Sequence, residues 1–378
     1  MRTLRHYLTR EIATATAFVL FALLALFAFF DLIGQLDEIS SGYRLSTAFA
    51  YVALSLPSRT YELMPIAALI GTIYALSKLA SNSEFTIMRV SGMSTRRLAV
   101  TVILAALVFI ALTYLFGELV APPAERVAQQ LKLSAKGESV EQFRSGVWVR
   151  DAVTGAGGQV ERWRFVNVKQ VRPDATLQSM RVFEFDRDYR LRAIGTAASG
   201  HFVVDGKGPA WQLNDVVATL LPVVTPDDAA PSDQRTEIVR GSTLRWASEL
   251  TPDIFSVLLV QPERMAAIDL VQYIRHLTAN RQQTNRYEIA LWNKVFYPLA
   301  ILVMMMLALP FAYLHVRAGS VSLKIFTGVM IGVTFYMLNK LFAHLGLLNT
   351  WPPVVVAALP SLVVLSVALG ALYWIERR

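Results

Sequence analysis

The sequence predicts a helical membrane protein of six transmembrane helices with an all-β, jelly-roll-like domain inserted between the third and the fourth. Three observations predict it. Of 378 residues, 54% are hydrophobic and the mean hydropathy is +0.43, too apolar for an ordinary soluble domain. Apolar runs near the ~20 residues that a bilayer crossing needs fall into two groups of three, within 1–121 and 289–378. Residues 122–288 between them are polar and divided by Gly, Pro and Asp into short β-rich segments. The net charge is +8, yet residues 122–290 hold 21 basic and 20 acidic side chains, so the excess sits at the membrane. That is a topology and lipid signal, and it excludes a nucleic-acid footprint. Cysteine is absent, so disulfides and thiol chemistry are excluded, and the five histidines have no metal-ligand spacing.

The first span, 12–30, follows Arg2, Arg5 and Arg10, which places the N-terminus in the cytosol. Aromatic, bulky residues at 27–33 lack the small-residue pattern of a signal-peptide cleavage site, so the span is expected to be retained. Residues 34–47, with Asp37, Glu38 and Arg44, are then outside. The second span, 48–79, is over-long, and Pro57 and Pro65 predict interruptions or kinks in it. Arg59 and Glu62 lie three apart between those prolines, on one face. Residues 81–97 form a cytosolic hairpin, because Lys78, Arg89, Arg96 and Arg97 outnumber Glu84. The third span, 98–120, carries Glu118 near its outer end and stops at Ala121-Pro122-Pro123.

A helical stalk to about residue 135 precedes β-rich segments at 146–150, 164–168, 180–185, 190–194, 201–204, 211–217, 236–240 and 243–246. Asp186-Arg187-Asp188 and Asp205-Gly206-Lys207-Gly208 read as turns. Short strands at this spacing predict a sandwich or jelly roll. Pro262 opens a helix with Leu270, Ile274 and Leu277 on one face, leading to the spans 289–314, 325–342 and 351–374. Arg317, Lys324, Arg377 and Arg378 mark cytosolic ends, whereas 344–353 has no Lys or Arg. Both termini are therefore predicted in the cytosol and the β domain outside.

The hairpin carries more than topology requires. A helix from Asn82 to about residue 92 places Glu84 in its first turn, where the helix dipole favours an acid, and presents Phe85, Met88 and Met93 as exposed apolar teeth, with Gly92 as its stop. A solvated loop is the plain reading; apolar residues at a membrane surface favour a docking helix. No G-x-x-x-x-G-K-[ST], G-x-G-x-x-G or H-E-x-x-H occurs, and no nucleophile-and-base set stands at membrane depth. The chain is thus expected to be no enzyme, to hold no cofactor or metal, and to draw energy from elsewhere. Asp31, Arg59, Glu62, Glu118, Lys294 and Lys340 are ionisable groups near membrane depth, where such groups pair or line a pathway. Arg59 and Glu62 can simply pair, and Lys294 and Lys340 can snorkel to the interface. Taken together, Arg59, Lys294 and Lys340 at one outer depth suit a substrate bearing phosphates.

Several patches jointly resemble a known family: S-E-F-T-I-M-R-V-S-G at 83–92, G-E-L-V-A-P at 117–122, L-T-P-D at 250–253, and L-W-N-K-V-F-Y-P-L with the following M-M-M-L-A-L across 291–309. Over nearly its full length the chain is similar to the lipopolysaccharide export permeases, the LptF/LptG pair, and Trp292-Asn293-Lys294 with the methionine run favours the LptG side. The resemblance implies an inner-membrane ABC transporter permease that pairs with an LptF-like permease, docks a coupling helix on a dimeric LptB-like ATPase, and passes lipopolysaccharide through its β domain to an LptC-like periplasmic bridge. It implies that Glu84 is the acidic coupling residue and that Phe85, Met88 and Arg89 line the ATPase contact, closed by Gly92. It raises the share of substrate contact expected of Arg59 and Lys294, to which the charges near membrane depth add Glu62 and Lys340. One departure is clear: where such proteins can carry lysines after the first span, this chain has Asp31, Asp37 and Glu38. Those acids remove direct phosphate contact there, or hold divalent cations that the lipid carries. Two rival readings stay open, an ion-coupled lipid carrier that uses Glu62 or Glu118 as a proton site, and a periplasmic scaffold.

Overall fold

A computed structural model describes residues 2–39, 43–136, 146–154, 160–172, 176–205, 208–222, 236–248, 250–252, 261–313, 321–349 and 351–376. Arg317, Arg377, Arg378, Asp253 and the Gly206-Lys207 turn lie outside these residues. The described helices are α1 (Arg2–Leu36), α2 (Leu45–Ser81), the short α3 (Glu84–Val90), α4 (Thr95–Leu115), α5 (Ala121–Lys136), α6 (Ala267–Ala279), α7 (Asn285–Phe296), α8 (Ala300–Ala308), α9 (Pro310–Tyr313), α10 (Val321–Leu348) and α11 (Pro353–Glu376). Among the described residues five helical stretches are long and apolar enough to cross a membrane, and α7 with α8–α9, taken as one span bent by 46°, makes a sixth. The bend falls at Tyr297-Pro298-Leu299, where proline removes a backbone donor.

Helix α2 is apolar on every side, and 83% of its most apolar window is buried. It touches α1, α3, α4, α5, α8, α9 and α10. Its end near α3 shares a core with Leu8 and Ile12 of α1, Phe85 and Met88 of α3, Leu98 and Val102 of α4, and Met305 of α8. Farther along, Leu69 and Ile73 pack with Met304, Phe311, Phe335 and Val364. Close approach depends on glycine. A Cβ on Gly71 would stand 2.5 Å from the Thr16 Cα, and Gly328 and Gly332, four apart on α10, leave room for Ile73 and Ile66. Here the structure corrects an expectation: α2 runs unbroken through Pro57 and Pro65. Neighbours on all sides hold it, so the donors lost at proline do not open it.

Between α4 and α5 the chain takes one π-helical turn, Phe116–Val120. Its cause is local. The Ala121 N–H bonds the Phe116 carbonyl five residues back, and the next two residues, Pro122 and Pro123, have no N–H, which leaves the Gly117 carbonyl without a helical donor. Gly117 is also required by space, because a Cβ there would lie 2.5 Å from the Tyr61 ring.

The middle of the chain forms one antiparallel sheet of six strands in sequential order: β1 (Val147–Thr154), β2 (Val160–Val171), β3 (Leu177–Phe185), β4 (Leu191–Asp205), β5 (Gly208–Leu220) and β6 (Glu237–Ala247). The segments 190–194 and 201–204 join into β4, and 236–240 and 243–246 join into β6. What separates the halves is a crease. Lys169, Ser179, Ala198, Asp215 and Ser242 drop out of the strand pairing in a row, and Ser179 and Asp215 have positive φ of 53° and 52°. The sheet therefore curls until Val147 and Val149 of β1 share a core with Trp211 and Leu213 of β5 and Trp246 of β6. Its ends are tied by the Ser248 hydroxyl donating to Asp151 (2.8 Å) and the Arg164 guanidinium donating to the Ala247 carbonyl (3.0 Å). Arg164 is in turn held by Glu184 (3.1 Å), which also receives Arg162 (2.5 Å). The Asp186-Arg187-Asp188 turn forms as read, with the Asp186 carboxylate accepting from the Asp188 and Arg190 N–H groups at 3.0 and 2.9 Å.

Two predictions follow from this packing. Gly71→Val should force α1 off α2 and lower the melting temperature of the purified chain by several degrees, the usual scale for about 1–3 kcal/mol of overpacking. Gly370→Ala, with open space around it, should leave it unchanged. The second concerns pH. Burial opposes the charge on Glu184, but the bonds from Arg162 and Arg164 outweigh it and hold its pKa below the usual glutamate range. A depressed pKa adds stability above the unfolded value and loses it as pH falls through the folded one. The β sheet should thus loosen below the ordinary carboxylate range, read by tryptophan fluorescence, and Glu184→Gln should flatten that dependence.

Candidate functional site

The Ser81–Arg97 region folds into a short helix clamped to its own bundle. Ser83 takes a left-handed φ of 63°, and α3 runs from Glu84 to Val90 with Gly92 at φ 93° just beyond its cap. The exposed-tooth expectation is corrected here: Phe85 and Met88 are only 5% and 6% exposed and point into the chain's own core. Met93 is buried with them. Phe85 meets the Tyr313 ring edge-on at 5.3 Å, and the Arg89 guanidinium lies 5.6 Å from the same ring. Glu84 accepts from the Tyr7 hydroxyl at 2.9 Å, and the Gly92 carbonyl accepts from Arg97 at 2.9 Å. The apolar residues left facing outward are Ile87 and Val90, 64% and 86% exposed. Sequence periodicity could not decide between the faces, because both carry apolar residues at helical spacing.

At the opposite end of the bundle, the sheet end, Arg59 is fully engaged. Its guanidinium grips Asp31 of α1 bidentately at 2.7 and 2.9 Å and reaches Glu62 at 2.9 Å. Asp31 thus serves as a counter-ion within the chain. Glu38 pairs with Lys132 at 2.6 Å. Among the described residues no cluster of three or more acids or histidines, Asp37 included, gathers to hold a metal.

Lys294 does not reach for the interface as a snorkelling lysine would. It neither snorkels nor stands free: buried on α7, it donates to the Gly117 carbonyl at 2.8 Å, filling the place that Pro122 leaves empty, and pairs with Glu118 at 3.1 Å. The other Glu118 oxygen accepts from the Ala267 N–H at 2.7 Å, at the first residue of α6. A second acid acts alike. Fully buried Glu125 of α5 accepts from Ser58, Gln129 and Arg264 at 3.1, 3.1 and 2.8 Å. Arg126 pairs with Asp269 beside it.

Above this network lies a cavity of about 130 Å³, open on one side, between α2, the π turn, α7 and α10. Lys294, Lys340 and Glu62 line it, so three of the predicted substrate residues come together, whereas Arg59 is turned toward α1 and is absent from its wall. Lys340 lies 5.7 Å over the Tyr336 ring. Sequence reading missed Arg286, Glu263, Asn293 and Asn339 in the same wall. Nothing in the sequence shows that α7 and α10 face one another there.

The chain's similarities agree with this architecture. The family of lipopolysaccharide export system permeases LptF/LptG matches residues 6–376. The lipopolysaccharide export system permease protein LptG of Escherichia coli strain K12 is 30% identical over 360 residues, 95% of this chain and 94% of the relative. The protein of the same name from Haemophilus influenzae is 28% identical over 364 residues, 96% of each. The chain belongs to the LptF/LptG family of lipopolysaccharide export permeases.

Proposed function

We propose that this permease is the transmembrane subunit of an ATP-driven lipopolysaccharide exporter, working beside an LptF-like permease, a dimeric LptB-like ATPase and an LptC-like periplasmic bridge. The chain then sits in the inner membrane with both termini cytosolic and residues 122–288 periplasmic. The observation that carries this reading is the division of labour on α3. Ile87 and Val90 offer a small apolar contact to a partner, while Phe85, Met88, Glu84 and Arg89 fix the helix to α1, α2 and α9. Movement of an ATPase against that face is transmitted to the spans as a rigid displacement, since packed cores do not absorb it. Glu84 acts through Tyr7, as the group that ties α3 to α1.

The lipid path follows from the same geometry. The outer faces of α1 and α10, with Phe18, Phe21, Phe326 and Met337 exposed, are available to lipid and to a second permease. The Arg59–Asp31 pair joins α1 to α2, so an entering phosphate competes with Asp31 for the arginine and loosens that contact. Proton coupling is less well supported, because Glu62 and Glu118 are each bound to a cation, Arg59 and Lys294.

Two outcomes test this. Ile87→Asp with Val90→Asp should cut recovery of the ATPase with the affinity-purified permease at least tenfold without changing its melting temperature, whereas Phe85→Ala should lower that temperature first. Full ATPase recovery with the double variant would overturn the assigned face. In vesicles containing the whole exporter, Arg59→Ala should reduce ATP-dependent transfer of lipopolysaccharide several-fold with the ATPase still bound; unchanged transfer would remove Arg59 from the path.

A further inference from the structure

We infer that the cavity between α2, α7 and α10 is a binding site for the head group of a zwitterionic, ethanolamine-type glycerophospholipid. Such a lipid is a resident ligand, chemically distinct from the exported one. The inference begins with which charges in the wall are already committed. Lys294 is held by Glu118 and the Gly117 carbonyl, Arg264 by Glu125, and Glu62 by Arg59. Among the described residues three charged groups of the wall remain without an ion-pair partner: Arg286, Lys340 and Glu263. All three are exposed at the mouth rather than buried in the floor. Two cations and one carboxylate around one opening match a phosphodiester joined to a primary ammonium. The phosphate takes Arg286 and Lys340, and the ammonium takes Glu263.

Position and lining agree with a lipid. Arg286 is in the first turn of α7, Lys340 lies toward the last turns of α10, and Glu263 is in the 3₁₀ turn Pro262–Arg264 that enters α6. All three thus stand at the sheet end of the bundle, where the apolar spans give way to polar chain and lipid head groups reside. Asn293 and Asn339 add neutral donors in the wall for phosphate or glycerol oxygens, and Tyr297 and Tyr336 with Ile289 and Leu347 line its less polar part. The volume, about 130 Å³, is below the roughly 300–1,000 Å³ usual for drug-sized ligands, so the cavity takes the head group alone and leaves the acyl chains outside. A purely anionic head group would leave Glu263 facing negative charge, and this disfavours it.

The test is native mass spectrometry of the full chain in mild detergent, titrated separately with phosphatidylethanolamine, phosphatidylglycerol and lipopolysaccharide. Phosphatidylethanolamine should be retained at one per chain, with Arg286→Gln and Lys340→Gln each weakening it about tenfold, the scale of one charge-assisted hydrogen bond at a half-open site. Glu263→Gln should weaken phosphatidylethanolamine but leave phosphatidylglycerol equal or tighter; this reversal is a readout that misfolding does not mimic. Equal retention of the two phospholipids by the wild type, or indifference to Glu263→Gln, would overturn the assignment. So would selective retention of lipopolysaccharide that depends on Arg286 and Lys340, an outcome that leaves the export function intact. Failure of export with phosphatidylethanolamine still bound would instead count against the proposed function alone.

Discussion

Everything in the membrane part depends on covering α2. In lipid, apolar contact between helices brings little net driving force, since the acyl chains are as apolar as leucine. A helix apolar all round is therefore held centrally by close packing. Glycine at position 71 supplies it on the α1 side, and Gly328 and Gly332 supply it on the α10 side. The same demand explains α3: its Phe85 and Met88 complete the cover over the end of α2, so this short helix is part of the permease core.

The sheet end shows the complementary constraint. Ionisable groups near hydrocarbon are tolerated when paired, and here, apart from Arg59–Glu62 within α2, the pairs run across elements. Pro122 and Pro123 create an orphan carbonyl at Gly117; Lys294 fills it; Glu118 balances Lys294 and caps α6. Glu125 repeats the arrangement with Ser58 and Arg264. Through these two acids, α2, α5, α6 and α7 form one connected frame at the point where the chain leaves for the β sheet and returns from it.

The sheet itself is closed by a different means. A row of unpaired positions creases strands β2 to β6, and the bend lets opposite edges of one meander share a core. Charged ties at its ends, through Arg164 and Asp151, hold the closure.

By itself the sequence determined the number and order of the spans, the inserted β region, the hairpin helix with its glycine stop and the family, because apolar run length, alternation and turn residues act locally. Its reading of α2 as interrupted was wrong because proline reports lost donors, not the neighbours that compensate. Only the tertiary structure decided which face of α3 is free, since Phe85, Met88, Ile87 and Val90 are all apolar and only packing against Tyr313 and α2 distinguishes them. It also decided which charges are committed. Arg59 found Asp31 twenty-eight residues away and Lys294 found Gly117 at a separation of 177, partnerships fixed by helix packing rather than by any spacing along the chain.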